Sequence, residues 1–250
     1  MGEFFNREAI SQIIGDNAFI EQKLRKRFEE FVSHLGVDAI ELFRLIQNKQ
    51  QYMEPFPERQ RSYNLNQYID YRLDRGEIET AMHYATASLT DLINHESADT
   101  DKYIALDLRK ILIIVDRLQT KYNCPDGLMI GEPAELASLG SARDLTTEQA
   151  QLNQLVDDLQ ISSVSLASFY GRNFQNMPNL TPEAFTSYLN ESRKKYQQGD
   201  WMQAILESNI LFFDGLKDAE NEGKKAETSE LLSLIEMSAK QKLAEVEKKY

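Results

Sequence analysis

Three histidines and one cysteine are the only imidazoles and thiol in this chain of 250 residues. Two of the histidines follow a glutamate at a spacing of four, Glu30 with His34 and Glu79 with His83, which places each pair on one helix face. A di-iron bundle uses Glu-x-x-His pairs, and a helical zinc protease uses His-Glu-x-x-His. Neither pattern occurs, so we assign no metal and no cofactor. Cys124 precedes Pro125, and nothing beside it supplies the base or positive charge that activates a thiol. Ser192-Arg193-Lys194-Lys195 has Ser-x-x-Lys spacing but lacks the Ser-Asp-Asn and Lys-Thr-Gly elements of the enzymes that use it. The glycines at Gly131 and Gly140 are not followed by the Gly-Lys-Ser/Thr end of a phosphate loop. No residue is assigned a catalytic role, and the chain reads more as an interaction protein than as an enzyme.

The elements around these residues are helical. Apolar residues recur at spacings of three and four through Ile10, Ile13 and Ile14, then from Phe19 to Leu35, with Gly36 as a stop. A helix over about Val37 to Asn48 follows, and Pro55 and Pro57 mark a loop. Three helices are expected between Leu65 and Tyr122, with stripes Leu65–Leu73, Ile78–Ile93 and Leu108–Leu118, the last capped by Asp99 or Thr100. The stretch 123–145 carries Pro125, Gly127, Gly131, Pro133 and Gly140 without a period, and is expected to be a linker or functional loop. Thr146 and Gln149 have the spacing of a capping box, opening a helix that runs to about Phe174. Thr181-Pro182-Glu183 starts the next helix with a cap, a proline and an acid against the dipole.

Two segments then share one pattern. Arg75-Gly76-Glu77-Ile78-Glu79-Thr80-Ala81 superposes without a gap on Gln198-Gly199-Asp200-Trp201-Met202-Gln203-Ala204. The glycines suit a left-handed helix end, the acids the next helix start, and the alanines a close helix approach. The same offset carries Pro55 onto Pro178, which allows an internal duplication. The expected fold is all-α, with about nine or ten helices arranged as antiparallel hairpins in an α-solenoid or helical-bundle array. Its parts are an N-terminal half 1–122 with a hairpin at 65–94, the loop 123–145, and a C-terminal half 146–250 with a hairpin at 182–220.

Gln197-Gln198-Gly199-Asp200-Trp201-Met202-Gln203-Ala204-Ile205 resembles the corner of a tetratricopeptide repeat, and Arg75 to Met82 is a weaker version. The Trp-Leu-Gly entry and closing Pro of that repeat are absent, and the hairpins are not adjacent. A third long helix after each also resembles the three-helix MIT module. Both families bind proteins or peptides, so the resemblance implies a groove lined by the first helix of each hairpin. Its outward residues would be Asn66, Asp70 and Asp74 in one hairpin and Arg193, Tyr196 and Gln197 in the other. Tyr63, Tyr68, Tyr71 and Tyr84 serve either packing or such a groove.

A formal net charge of −12 disfavours nucleic acid and anionic lipid, and leaves a protein or peptide partner, basic by complementarity. No apolar run reaches the roughly 18 residues that cross a bilayer. The start, Met1-Gly2-Glu3-Phe4-Phe5, has no signal-peptide pattern, and with a lone cysteine a cytoplasmic location is expected. The sequence therefore suggests an adaptor, chaperone-like binder or inhibitor of immunity type that holds a partner segment in a helical groove. The alternative is an all-α enzyme or ligand-binding protein with its site between the halves. Homo-oligomerisation through the C-terminal helix is a further expectation.

Overall fold

The computed structural model describes residues 22–56, 65–95, 100–124, 130–133, 143–173, 177–217 and 222–249. Among the described residues the protein is all-helical, with ten helices and no strand. Residues 22–35 form α1. After it come α2 (Ala39–Gln50), α3 (Asn66–Asp74), α4 (Ile78–Asn94), α5 (Thr100–Tyr122), α6 (Thr146–Asp158), α7 (Ser163–Asn173), α8 (Pro182–Gln197), α9 (Trp201–Lys217) and α10 (Glu222–Glu247). The expected turns near Ile10 to Ile14, the Asp99 cap and Tyr63 lie outside the described residues.

Several helix bounds recur at the offset that carries Gly76 onto Gly199, among them the ends of α2 and α7 and of α3 and α8. The helices α4 and α9 have 17 residues each and start and stop at matching positions. The two corners match in detail. Gly76 and Gly199 take φ of 74° and 80°. The Glu77 amide donates back to the Arg72 carbonyl at 2.9 Å, and the Asp200 amide to the Lys195 carbonyl at 2.9 Å, which closes each helix end. Ala81 and Ala204 are fully buried, as close hairpin packing requires. Glu77 does not cap α4 with its side chain; Arg72 and Arg75 pair with it instead.

Two starts differ from the sequence expectation. Thr146 and Gln149 form no capping box. Asp144 accepts from the Thr146 amide at 3.0 Å, and Gln149 reaches across to the Leu45 carbonyl at 3.1 Å. A capping box forms at α2 instead. There Asp38 accepts from the Glu41 amide at 2.8 Å and Glu41 accepts from the Asp38 amide at 3.0 Å. The helix expected from Thr146 to Phe174 is broken into α6 and α7 at Gln160, whose φ is 51°.

The helix α10 packs on α9 and α5, α4 on α5, α8 on α9 and α3 on α4. Contacts also cross between the halves, with α2 against α9 and α4 against α7. One buried apolar cluster runs through both halves. Phe28 meets Phe169 at 5.7 Å and Phe43 meets Tyr170 at 5.8 Å, joining α1 and α2 to α7. Burying each such ring contributes on the order of 2–3 kcal/mol. The apolar face of α10, with Leu231, Leu232 and Ile235 all fully buried, lies within this cluster. Among the described residues, no helix is long and apolar enough to cross a membrane.

Candidate functional site

The helix α8 starts on the expected cap, with the Thr181 hydroxyl accepting from the Ala184 amide at 3.2 Å and Pro182 in the first turn. Its stripe Phe185 and Leu189 is buried. Arg193 and Gln197 continue the same i, i+4 row at the C-terminal end of α8, where Arg193 meets α10. The Arg193 guanidinium grips Glu230 of α10 with two parallel bonds of 2.7 Å, from Nε to Oε1 and from Nη2 to Oε2. Its Nη1 donates to Asn190 Oδ1 at 2.9 Å. Such a fork is among the stronger and more directional ionic contacts.

A short piece of the chain without regular structure, residues 130–133, lies against this pair. The Gly131 amide donates to Glu230 Oε1 at 2.9 Å, and Gln197 Nε2 donates to Glu132 Oε2 at 2.9 Å. A Cβ on Gly131 would stand 2.8 Å from Arg193 Nη2 and 3.0 Å from its Cζ. The backbone therefore approaches the guanidinium closely at Gly131. Two of the residues read from the sequence as groove residues thus hold a peptide segment, and that segment is the protein's own. Tyr196, the third, is half-buried on the same helix.

The first hairpin behaves differently. Asp70 and Asp74 are exposed on α3, and Asp70 pairs with Lys110 of α5. Asn66, expected to face outward, is buried. The reason is periodicity: it falls on the same stripe as Ile69 and Leu73, which face the core. Beside these residues, Tyr68 meets Tyr84 edge-on at 4.5 Å, and Arg72 lies 4.5 Å over the Tyr68 ring. Tyr71 is half exposed, with Arg75 5.5 Å over its ring.

At the positions of the second half that match Tyr68, Arg72 and Tyr84 stand Glu191, Lys195 and Glu207. They form an ion network with Arg44 of α2. Arg44 Nη2 donates to Glu191 Oε2 at 2.6 Å and to the buried Glu207 Oε1 at 3.1 Å, while Lys195 also pairs with Glu207. Burial works against the Arg44 charge, yet Glu207 and Glu191 hold its guanidinium protonated above its ordinary value. Sequence reading missed Arg44 and Glu207, because a buried charge on an apolar helix is visible only once its partner helix is known.

Between the halves lies a cavity of about 20 Å³, lined among others by Gln50, His83, Thr86, Thr90 and Asn209. That is the size of about one water molecule, whereas ligand pockets run to ~300 Å³ and more. His83 stacks on Phe213 at 4.0 Å, and burial pushes its imidazole down to about 4. A larger cleft of about 280 Å³ opens among Glu29, Val32, Gly36, Val37 and Met177. Among the described residues, no group of three or more His, Cys, Asp or Glu is placed to hold a metal ion.

Comparisons with protein-family models, with curated proteins and with solved structures find no match. The functional reading therefore stands on the geometry alone.

Proposed function

We propose that this protein is a non-enzymatic interaction module that holds an extended segment of a protein or peptide partner on its helical surface. Adaptor, chaperone-like and inhibitor or immunity-type roles all fit that chemistry. The observation that supports the reading is the seating of residues 130–133 on α8 and α10. That face binds main chain through Glu230, a side chain through Gln197, and a bare Cα through Arg193. The alternative, an enzyme or ligand-binding protein with a site between the halves, would have to use either the core cavity of about 20 Å³ or the open cleft of about 280 Å³ between Glu29–Val37 and Met177, whose lining residues include one carboxylate, Glu29, and no His or Cys. Net charge of −12 favours a partner that is basic as a whole. Self-association through α10 is less favoured, since its apolar face is already covered by α5 and α9.

The test is a photo-crosslinking residue placed at 197 in the full chain, with a control at exposed Glu183 at the other end of α8, expressed in the native host. A protein adduct formed from position 197 and absent from position 183 supports the proposal. No adduct at 197, or equal labelling at both positions, counts against it.

A further inference from the structure

The contacts of residues 130–133 are selective. A peptide crossing Arg193 fits best with no side chain at the crossing point, because a Cβ there would force the guanidinium to shift. Arg193 cannot easily swing aside, since Glu230 and Asn190 hold all three of its nitrogens. The next residue must offer an acceptor to Gln197, and Glu132 does so with a carboxylate. The backbone amide of the crossing residue must be free to donate, because Glu230 Oε1 receives it. That last demand excludes proline at the crossing point.

Resting on the interaction reading above, we propose that the α8/α10 face is a recognition site for an extended glycine–acid segment. Residues 130–133 occupy it in cis, and a partner segment of the same chemistry displaces them in trans. The cis segment is tethered, so it competes at an effective concentration on the order of millimolar. The site is thereby kept from weak or mismatched segments. A partner that supplies further contacts beyond the glycine–acid pair overcomes the competition.

The test uses a labelled peptide of sequence 128–135, titrated into the full chain and read by fluorescence anisotropy. The double variant Gly131→Val, Glu132→Ala disables the cis occupant while leaving α8 and α10 intact. It is expected to bind the peptide at least about tenfold more tightly than the unaltered protein, because the competent fraction rises. Adding Arg193→Lys, or Glu230→Gln, to that background is expected to weaken binding by about tenfold or more, since lysine cannot form the fork. A peptide with valine at its glycine should bind more weakly. Absence of saturable binding to the folded double variant at millimolar peptide overturns the proposal, as does equal affinity for the valine peptide.

If the double variant loses its helical signal, amide exchange at Gly131 of the unaltered protein replaces it. Peptide that accelerates this exchange supports displacement, and unchanged exchange at millimolar peptide overturns it. A failed titration together with a crosslinked partner at position 197 removes the glycine–acid chemistry alone. Failure of the crosslink with a positive titration removes the partner reading instead.

Discussion

Asn209 donates from Nδ2 to the Thr86 hydroxyl across 2.7 Å, and at the offset of the glycine corners the two residues occupy the same position in successive five-helix units, α1–α5 and α6–α10. Matching residues meet each other only near an axis of exchange between the units. The packing agrees: α2 lies on α9 while α7 lies on α4, the same contact with the units swapped, and α5 meets its own counterpart α10. Along that last pair Gln119 bonds Glu236 and Arg109 bonds Glu247, so the two helices run antiparallel, as counterparts do about an axis perpendicular to them. The halves are therefore interlocked through one core rather than strung side by side.

The Thr86–Asn209 bond lies at the centre of that core, and Thr86→Val should expose its worth. The swap keeps the shape but leaves the Asn209 amide without its acceptor, at a cost of about 1–3 kcal/mol. Asn209→Ala should cost a similar amount. The double variant should lose less than the two singles together, by about 1 kcal/mol, because each single already breaks the shared bond. Urea unfolding of the four proteins measures the coupling, and strict additivity would show that the bond carries no energy.

Two buried aspartates at matching positions pin the loops that lead into the hairpins. Asp91 accepts from the Phe56 amide at 3.1 Å, and Asp214 from the Leu180 amide at 3.2 Å. Each is supported by a nearby side chain that also reaches a loop carbonyl, His95 to Met53 at 2.8 Å and Lys217 to Met177 at 3.1 Å. Asp91→Ala and Asp214→Ala should each destabilise by about 2–3 kcal/mol, since a buried amide loses its partner. Amide exchange should rise at Phe56 in the first variant and at Leu180 in the second. Protection that persists at both amides would mean that the loops are held by something else.

How much of this was legible in the sequence depended on whether a feature is local. The Gly76 and Gly199 corners, the Thr181 start and the apolar stripes follow from residue type and spacing, and the structure has them. The Asp91 and Asp214 clamps follow the same offset as the corners, yet an isolated acid on an amphipathic helix looks like any solvated one. The burial of Asn66 was missed because its amide side chain suggested an outward face, although it shares a stripe with Ile69 and Leu73. Arg193 and Gln197 were picked as groove residues, but their occupant comes from a segment far away in sequence. Tertiary partners of that kind leave no periodic trace.

His83 gives the protein a pH dependence with a definite sign. Its folded-state value is about 4, against about 6.5 in the unfolded chain. Burial is the main cause, and the carboxylate of Glu79, one turn earlier, opposes it. The unfolded state therefore binds a proton first, and stability falls as pH drops from about 6.5 towards 4. Between pH 7 and pH 5 the loss from this one residue is about 2 kcal/mol. His83→Phe, which keeps a ring to stack on Phe213, should flatten that part of the curve in urea titrations at several pH values. An unchanged slope would assign the dependence to other groups.

The break between α6 and α7 offers a stabilising substitution. Gln160 takes φ of 51°, the left-handed region where a Cβ costs roughly 1–2 kcal/mol. The Ile161 amide donates back to the Val156 carbonyl at 3.0 Å, so this conformation is what ends α6. The corresponding break after α1 uses a glycine, Gly36, at φ of 65°. Gln160→Gly removes the steric cost but adds freedom to the unfolded chain, worth about 0.5–1 kcal/mol in the other direction. The difference should leave a gain of about 0.5–1 kcal/mol, because the Gln160 side chain is exposed and little packing is lost. Gly36→Ala should do the reverse, destabilising by about 1 kcal/mol, with open space around the new Cβ leaving backbone conformation as the only cause. Thermal unfolding of both variants checks the pair, and a loss of stability in Gln160→Gly would show that the glutamine side chain contributes more than its exposure suggests.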